Sequence, residues 1–265
     1  GYTQQDVMEL ARCLTGWGVK QHFWLGEFKF NEEQHDTGVK NILGHTIQPA
    51  GQKEAEDVIE MLVKHPSTAR FISTKLARRF IADEPPQEII AKAAQTFLQT
   101  DGDIKSVLRV ILDGLAYMQP KYKRPSNFVL SASRMLNVES DGAAINKFLF
   151  RMGQGYFNFP TPDGYSDHSQ TWQGNLMPRW QFAFELIRNE MQGTKHNLQN
   201  LLNVLLTENL QEDIDAISSL LLGAPIDRFT RDQLIGSVTS AGASPEEALQ
   251  IITASLIASP AFQWR

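Results

Sequence analysis

The chain has 265 residues, 42% of them hydrophobic and 21% charged, with 30 acidic against 25 basic side chains and a net charge of −5. This is a globular composition, long enough to bury a real core as one large domain or two smaller ones. Basic residues cluster only at Lys121, Lys123 and Arg124 and at Arg78 and Arg79, which argues against nucleic acid as a partner. Cys13 is the sole cysteine, so no internal disulfide and no thiolate zinc site can form. No apolar run approaches the roughly 18 residues of a membrane span. The chain opens at Gly1 on YTQQDV, without an initiator Met, and reads as a fragment or processed product of a larger protein.

Thr3 and Asp6 form an N-terminal capping pair for a first helix. Its apolar stripe is Val7, Leu10, Ala11 and Leu14, and Gly16 and Gly18 end it. Cys13 falls near the packed face as a small buried apolar residue. Between Val19 and Ile47, HFWLGEFKF alternates imperfectly and predicts a short hairpin with Gly26 at its turn. An acidic loop (Glu32, Glu33, His35, Asp36), Lys40 and a short apolar segment follow. Strands are expected only here. Helices are predicted over Glu54–His65, Ser67–Ala82, Gln87–Gln99 and from Asp103 to Gly114. Further helices are expected over Ser126–Val138, Ala143–Met152, Leu176–Glu190, Asn197–Leu206, Glu212–Leu222, Arg231–Thr239 and Pro245–Ser259. Ser244 and Glu247 are a second capping box.

One stretch breaks the helical pattern. Gly153 to Trp180 reads as a long ordered loop running into the next helix. It is dense in aromatics (Tyr156, Phe157, Phe159, Tyr165, Trp172, Trp180) and carries Asp163, Asp167, His168 and Arg179. Long loops in compact domains tend to be functional or disordered, and this one is too aromatic for disorder.

Three side-chain groups have chemical potential. Glu32, Glu33, His35, Asp36 and Lys40 pair a histidine with carboxylates, suited to acid–base work or to metal ligation without an HExxH pattern; the structural reading is an exposed loop with Asp36 making a turn. Asp163, Asp167 and His168 beside aromatics resemble a carbohydrate platform, where rings stack on sugar faces and two carboxylates divide acid and base roles. The structural alternative is a loop pinned to the body by its aromatics. Arg70, Lys75, Arg78 and Arg79 on one helix could hold an anion or form a solvated face. GxSxG, GxxxxGK[ST] and GxGxxG are absent.

Five stretches in order carry a resemblance: GYTQQDVMELARCLTGWGV; an F-x-F followed by HDTGVKNILG; HPSTARFISTKLARRFIADEPP; PTPDGY with the later RWQFAFEL; and SLIASPAFQWR. Together they resemble the bacterial domain-of-unknown-function family DUF1800 over nearly all of the chain. Family positions fall on Asp6, Glu9, Arg12, Trp17, His35, Asp36, Lys40, Gly44, His65, Pro66, Arg70, Lys75, Arg78, Phe80, Pro162, Asp163, Gly164, Trp172, Arg179 and Trp180. Pro178 departs from the family pattern and bears on the local helix start. The resemblance implies the C-terminal part of a longer member, export to the periplasm or cell exterior, and a sulfatase-like protein encoded nearby as a partner. It implies no reaction.

The resulting expectation is a mainly α, irregular multi-helix domain with a small β-hairpin near the N-terminus and a long aromatic loop. It spans 1–265 as a single domain, with a subdivision point at 191–197. The first functional reading is an accessory or interaction module in cell-envelope or extracellular polysaccharide processes, with glycan as a further partner. The second is a hydrolase or lyase acting on a polysaccharide through His35, Asp36, Asp163 and His168, with Tyr165, Trp172, Arg78 and Arg179 binding the ligand. The third is a metal-binding protein at His35 and Asp36. No cofactor is expected.

Overall fold

The computed structural model describes residues 1–20, 26–198 and 209–265. The described chain is mainly helical, with small two-stranded antiparallel ladders. It divides into two compact units. The first comprises Gly1–Ile81 and Pro85–Tyr117, the second Ala82–Glu84 and Met118–Arg265.

In the first unit, α1 (Gln4–Cys13) starts on the reciprocal capping box read from the sequence. Thr3 Oγ1 accepts the Asp6 N–H at 3.2 Å, and the Asp6 carboxylate accepts the Thr3 N–H at 2.7 Å. Gly16 turns the chain out of the helix at φ +82°; a Cβ there would stand 2.5 Å from the Asn31 carbonyl oxygen, so only glycine fits. β1 (Trp17–Lys20) then pairs with β2 (Glu27–Phe30), Trp17 facing Phe30. Residues 21–25 of the predicted hairpin lie outside the described residues. A second hairpin follows, β3 (Lys40–Ile42) with β4 (His45–Ile47), so Lys40 opens a strand.

α2 (Lys53–Val63), α3 (Pro66–Phe80), α4 (Gln87–Gln99) and α5 (Ile104–Asp113) follow within two residues or so of the predicted bounds. His65 caps α3 by accepting the Ser67 N–H on Nδ1, with Pro66 at the first helical position. Cys13, Ile42, Ala55 and Val58 form a small core where α1, β3 and α2 meet.

The second unit is built from α6 (Pro125–Met135), α7 (Ala143–Arg151), α8 (Leu176–Ile187), α9 (Leu210–Leu222), α10 (Arg228–Ala241) and α11 (Pro245–Ala258). They share one apolar core. Phe182 of α8 meets the edges of Phe128 and Phe148 at 5.7 and 5.5 Å between ring centroids. The helix expected at Asn197–Leu206 falls almost wholly outside the described residues.

One expectation needs correction: strands are not confined to Val19–Ile47. β5 (Glu139–Ser140) pairs with β6 (Thr194–Lys195). Two-residue strands leave no alternation to read, and this pair joins segments far apart in sequence. The segment 191–197 lies within the second unit, with Met191 buried in its core. Among the described residues, no helix is long and apolar enough to cross a membrane.

Candidate functional site

The densest polar constellation of the first unit is assembled by α1, the loop after β2, β3 and the start of α2. Arg12 of α1 holds Asp36 with two parallel bonds, Nε to Oδ2 at 2.8 Å and Nη2 to Oδ1 at 3.0 Å. The same guanidinium reaches Glu9, Nη1 lying 3.0 and 2.9 Å from its two oxygens. Glu9 also accepts the Asn41 N–H, and Asp6 the Leu43 N–H, so α1 is fastened to the second hairpin.

Beneath this rim lies a buried floor. Lys40 Nζ donates to Glu54 Oε2 at 2.5 Å and to the Asp36 carbonyl, and both Lys40 and Glu54 are fully buried. Glu54 Oε1 accepts the N–H groups of Ala50 and Gly51 at 2.8 and 3.1 Å and faces His35 Nε2 at 3.0 Å. His35 Nδ1 faces the Thr15 carbonyl at 2.9 Å. Both ring nitrogens therefore face oxygen acceptors, an arrangement that favours the doubly protonated imidazolium. The hydrogen bond to Glu54 raises its pKa against the opposing effect of burial. For Glu54, burial pushes upward, but Lys40, the Ala50 N–H and His35 together bring it down to about 2. The Arg12 fork likewise holds Asp36 well below the usual carboxylate range. Three carboxylates (Glu9, Asp36, Glu54) thus meet three cations (Arg12, Lys40, His35): the Arg12–Asp36 pair sits at a partly exposed rim, while Lys40, Glu54 and His35 are buried beneath it.

An open groove of about 700 Å³ runs beside this floor, walled by Phe30, Glu32, Pro49, Gln52 and Glu56. His35 and Glu54 border it, but their polar atoms are turned to each other and to the backbone.

The second unit carries a different arrangement. Arg179 of α8 is fully buried. It donates to Gln263 Oε1 at 2.9 Å and to the Lys123 carbonyl at 2.7 Å, and its guanidinium lies 4.7 Å over the Tyr122 ring and 5.0 Å over that of Phe128. Lys123 sits with Nζ 3.6 Å over the Phe262 ring. Burial, with Arg179 and Arg265 nearby, brings its pKa down to about 8. Among the described residues, neither Arg179 nor Lys123 has a carboxylate in ion-pair range. These contacts clamp 121–123 to 263–265: the Lys121 N–H donates to the Arg265 carbonyl, and that of Lys123 to Gln263.

The aromatic loop is anchored along its second half. Arg124 holds Asp167 at 2.9 Å, the Ser169 N–H donates to Asp83, and Lys121 pairs with Asp83 at 2.5 Å. The Tyr165 hydroxyl donates to the Gly155 carbonyl, and Trp172 Nε1 to that of Ser166. Phe159 meets Tyr165 edge-on at 4.8 Å between ring centroids, and Tyr165 lies tilted against Trp172 at 6.0 Å. The first half ends in a turn, Gly155–Tyr156–Phe157–Asn158, closed by the Asn158 N–H on the Gly155 carbonyl at 3.3 Å. Phe157 occupies its third position with φ +53° and is fully exposed.

A family model described as a protein of unknown function, DUF1800, matches residues 1–264. The chain belongs to the DUF1800 family. Comparison with curated proteins and with solved structures yields no match.

In this DUF1800 chain the sequence candidates fall into two groups. His35 and Asp36 lie in the first unit, joined by Glu9, Arg12, Lys40 and Glu54; Asp163, Tyr165, His168, Trp172 and Arg179 lie in the second. Arg78 lies on α3 of the first unit. Trp172 and Arg179 are buried, whereas Asp163 is exposed and accepts from the Thr161 hydroxyl. His168 lies 3.8 Å from Glu84. Among the described residues, no group of three His, Cys, Asp or Glu side chains is placed to hold a metal ion.

Two residues escaped the sequence reading. Glu54 organises the buried network yet reads as an ordinary helix-start glutamate. Lys123 reads as part of a surface basic cluster and is buried. A usable signal existed for Glu54: it follows Pro49-Ala50-Gly51, whose turn aims two N–H groups at one carboxylate.

Proposed function

We propose that this DUF1800 chain is an accessory, non-catalytic module of an exported protein, and that it docks another component of the cell envelope through the Gly155–Asn158 turn. The observation that carries this reading is Phe157. A left-handed backbone is a genuine outlier for an aromatic residue and costs on the order of 1–3 kcal/mol. The ring recovers none of that cost, being fully exposed. Tyr156 beside it is exposed as well. The backbone of Phe157 completes the turn, but its exposed ring adds nothing to the packing of the chain, which supports a use for that ring outside the folded chain.

The polar candidates support the same reading. His35 offers no free nitrogen for proton abstraction, and both oxygens of Asp36 are engaged by Arg12. Their network serves to fasten α1 and two hairpins to α2. The envelope component is a lipid, a glycan or a protein such as the sulfatase-like neighbour.

The test is a photo-crosslinking residue placed at 157 in cells, with the exposed Phe229 as control site. An adduct at 157 that exceeds the one at 229 supports the module, and its composition identifies the component. Equal labelling at the two sites rules it out.

A further inference from the structure

We infer that the turn Gly155–Asn158 inserts into an anionic lipid surface, flanked by Lys147 and Arg151; this rests on the docking role proposed above for the same turn. The first argument is charge. The twenty residues 143–162 contain Lys147 and Arg151 and not one acidic side chain, in a chain of net charge −5. Lys147 and Arg151 stand one turn apart on α7, both exposed, with exposed Phe150 beside them. Arg151 is steadied by Gln181 and by the Phe148 ring, 4.8 Å from its guanidinium. The turn is seated against this helix end: a Cβ on Gly155 would lie 3.1 Å from Phe150 Cδ2. Aromatic and basic groups therefore share one end of α7. Basic residues near a membrane gain from the negative surface potential of anionic lipids.

The second argument is shape and composition. Residues 152–162 carry no charge at all, so the turn can leave water without burying an ion. Phe157 projects as a knob. A bilayer receives a convex apolar tip without a preformed cavity, which a protein partner would have to supply. Tyr156 has the ring-plus-hydroxyl form that favours the headgroup level. The first acid after the turn, Asp163, is drawn into a local hydrogen bond with Thr161. Insertion is shallow, since among the described residues no helix can cross a membrane.

The experiment is co-sedimentation of the 265-residue chain with two vesicle types, phosphatidylcholine alone and phosphatidylcholine mixed with phosphatidylglycerol. Binding is expected to the mixed vesicles only and should weaken as salt is added. Phe157→Ala should lower the partition coefficient about tenfold, the scale of burying one aromatic side chain. Lys147→Glu with Arg151→Glu should lower it by about tenfold or more at low salt. Phe157→Gly, which removes the ring and relaxes the backbone, should match Phe157→Ala in binding and so exclude misfolding as the cause. Absence of binding to the mixed vesicles overturns the inference. So does equal binding to both vesicle types, or binding unchanged by loss of Phe157. If vesicles fail while position 157 crosslinks to a protein or glycan in cells, the docking role stands and the lipid assignment falls. If neither is seen, both fall.

Discussion

His35 is locked to Glu54: Nε2 lies 3.0 Å from Oε1 while Nδ1 faces the Thr15 carbonyl, so the cationic ring is favoured against a fully buried carboxylate. Glu54 carries a second cation, Lys40, on its other oxygen. One carboxylate therefore joins the loop after β2, the first residue of β3 and the first turn of α2. This explains how the second hairpin, which shares only a small apolar cluster with α1 and α2, keeps its place.

The pH dependence of stability follows from the directions of these shifts. His35 has a raised pKa in the folded chain, so its contribution is complete below its ordinary value of 6.5 and is lost as pH rises through the folded value. Glu54 is brought from 4.5 down to about 2, so its contribution is present above 4.5 and is lost as pH falls toward 2. The melting temperature of the first unit should therefore peak between roughly pH 5 and 6.5. His35→Gln should flatten the alkaline limb and leave the acid limb in place; an unchanged alkaline limb would contradict the imidazolium assignment.

Breaking the buried pair should be severe. Glu54→Ala leaves Lys40 and His35 cationic in a dry site, and Lys40→Met leaves Glu54 facing one cation fewer. Each should cost about 3–5 kcal/mol in chemical denaturation. The double variant Lys40→Met, Glu54→Leu should cost clearly less than the sum, because no stranded charge remains. Additive losses would mean that the pair is not coupled.

Phe157 offers a test of strain. Alanine removes the ring and keeps the left-handed penalty, whereas glycine removes both. Phe157→Gly should be more stable than Phe157→Ala by about 1 kcal/mol, read from denaturant midpoints. The reverse order would show that the backbone at 157 is unstrained.

Lys123 should behave opposite to His35. Its folded pKa lies near 8, below the ordinary 10.5, so the unfolded chain binds the extra proton and stability rises with pH between those values. At neutral pH the charge is a liability beside Arg179. Lys123→Met should stabilise the second unit by about 1–3 kcal/mol at pH 7 and abolish the rise above pH 8. Destabilisation at pH 7 would mean that the ammonium–ring contact with Phe262 outweighs the cost of burial.

Local chemistry alone accounts for most of the helical framework. Thr3–Asp6 and Ser244–Glu247 form the capping boxes their spacing predicts, and α4 runs over the predicted Gln87–Gln99. These signals are visible because helix caps and apolar periodicity act within a few residues of one another. The third ladder was invisible, since Glu139 and Lys195 meet only after the helices between them have packed. The fates of the charged residues were equally hidden. Lys40, Glu54 and Arg179 look like surface residues in the one-dimensional chain and are among its most buried. Phe157, Tyr156 and Phe150 look like core residues and face solvent. Burial and protonation depend on what arrives from distant segments: Thr15 and Glu54 on the two nitrogens of His35, Gln263 and Lys123 around Arg179. Residue type and spacing were enough to mark where helices begin and which loop stands apart. Which charges are neutralised inside, and which aromatic ring is left outside on a strained backbone, was decided by long-range packing, because both follow from the electrostatics and solvent access of the assembled fold.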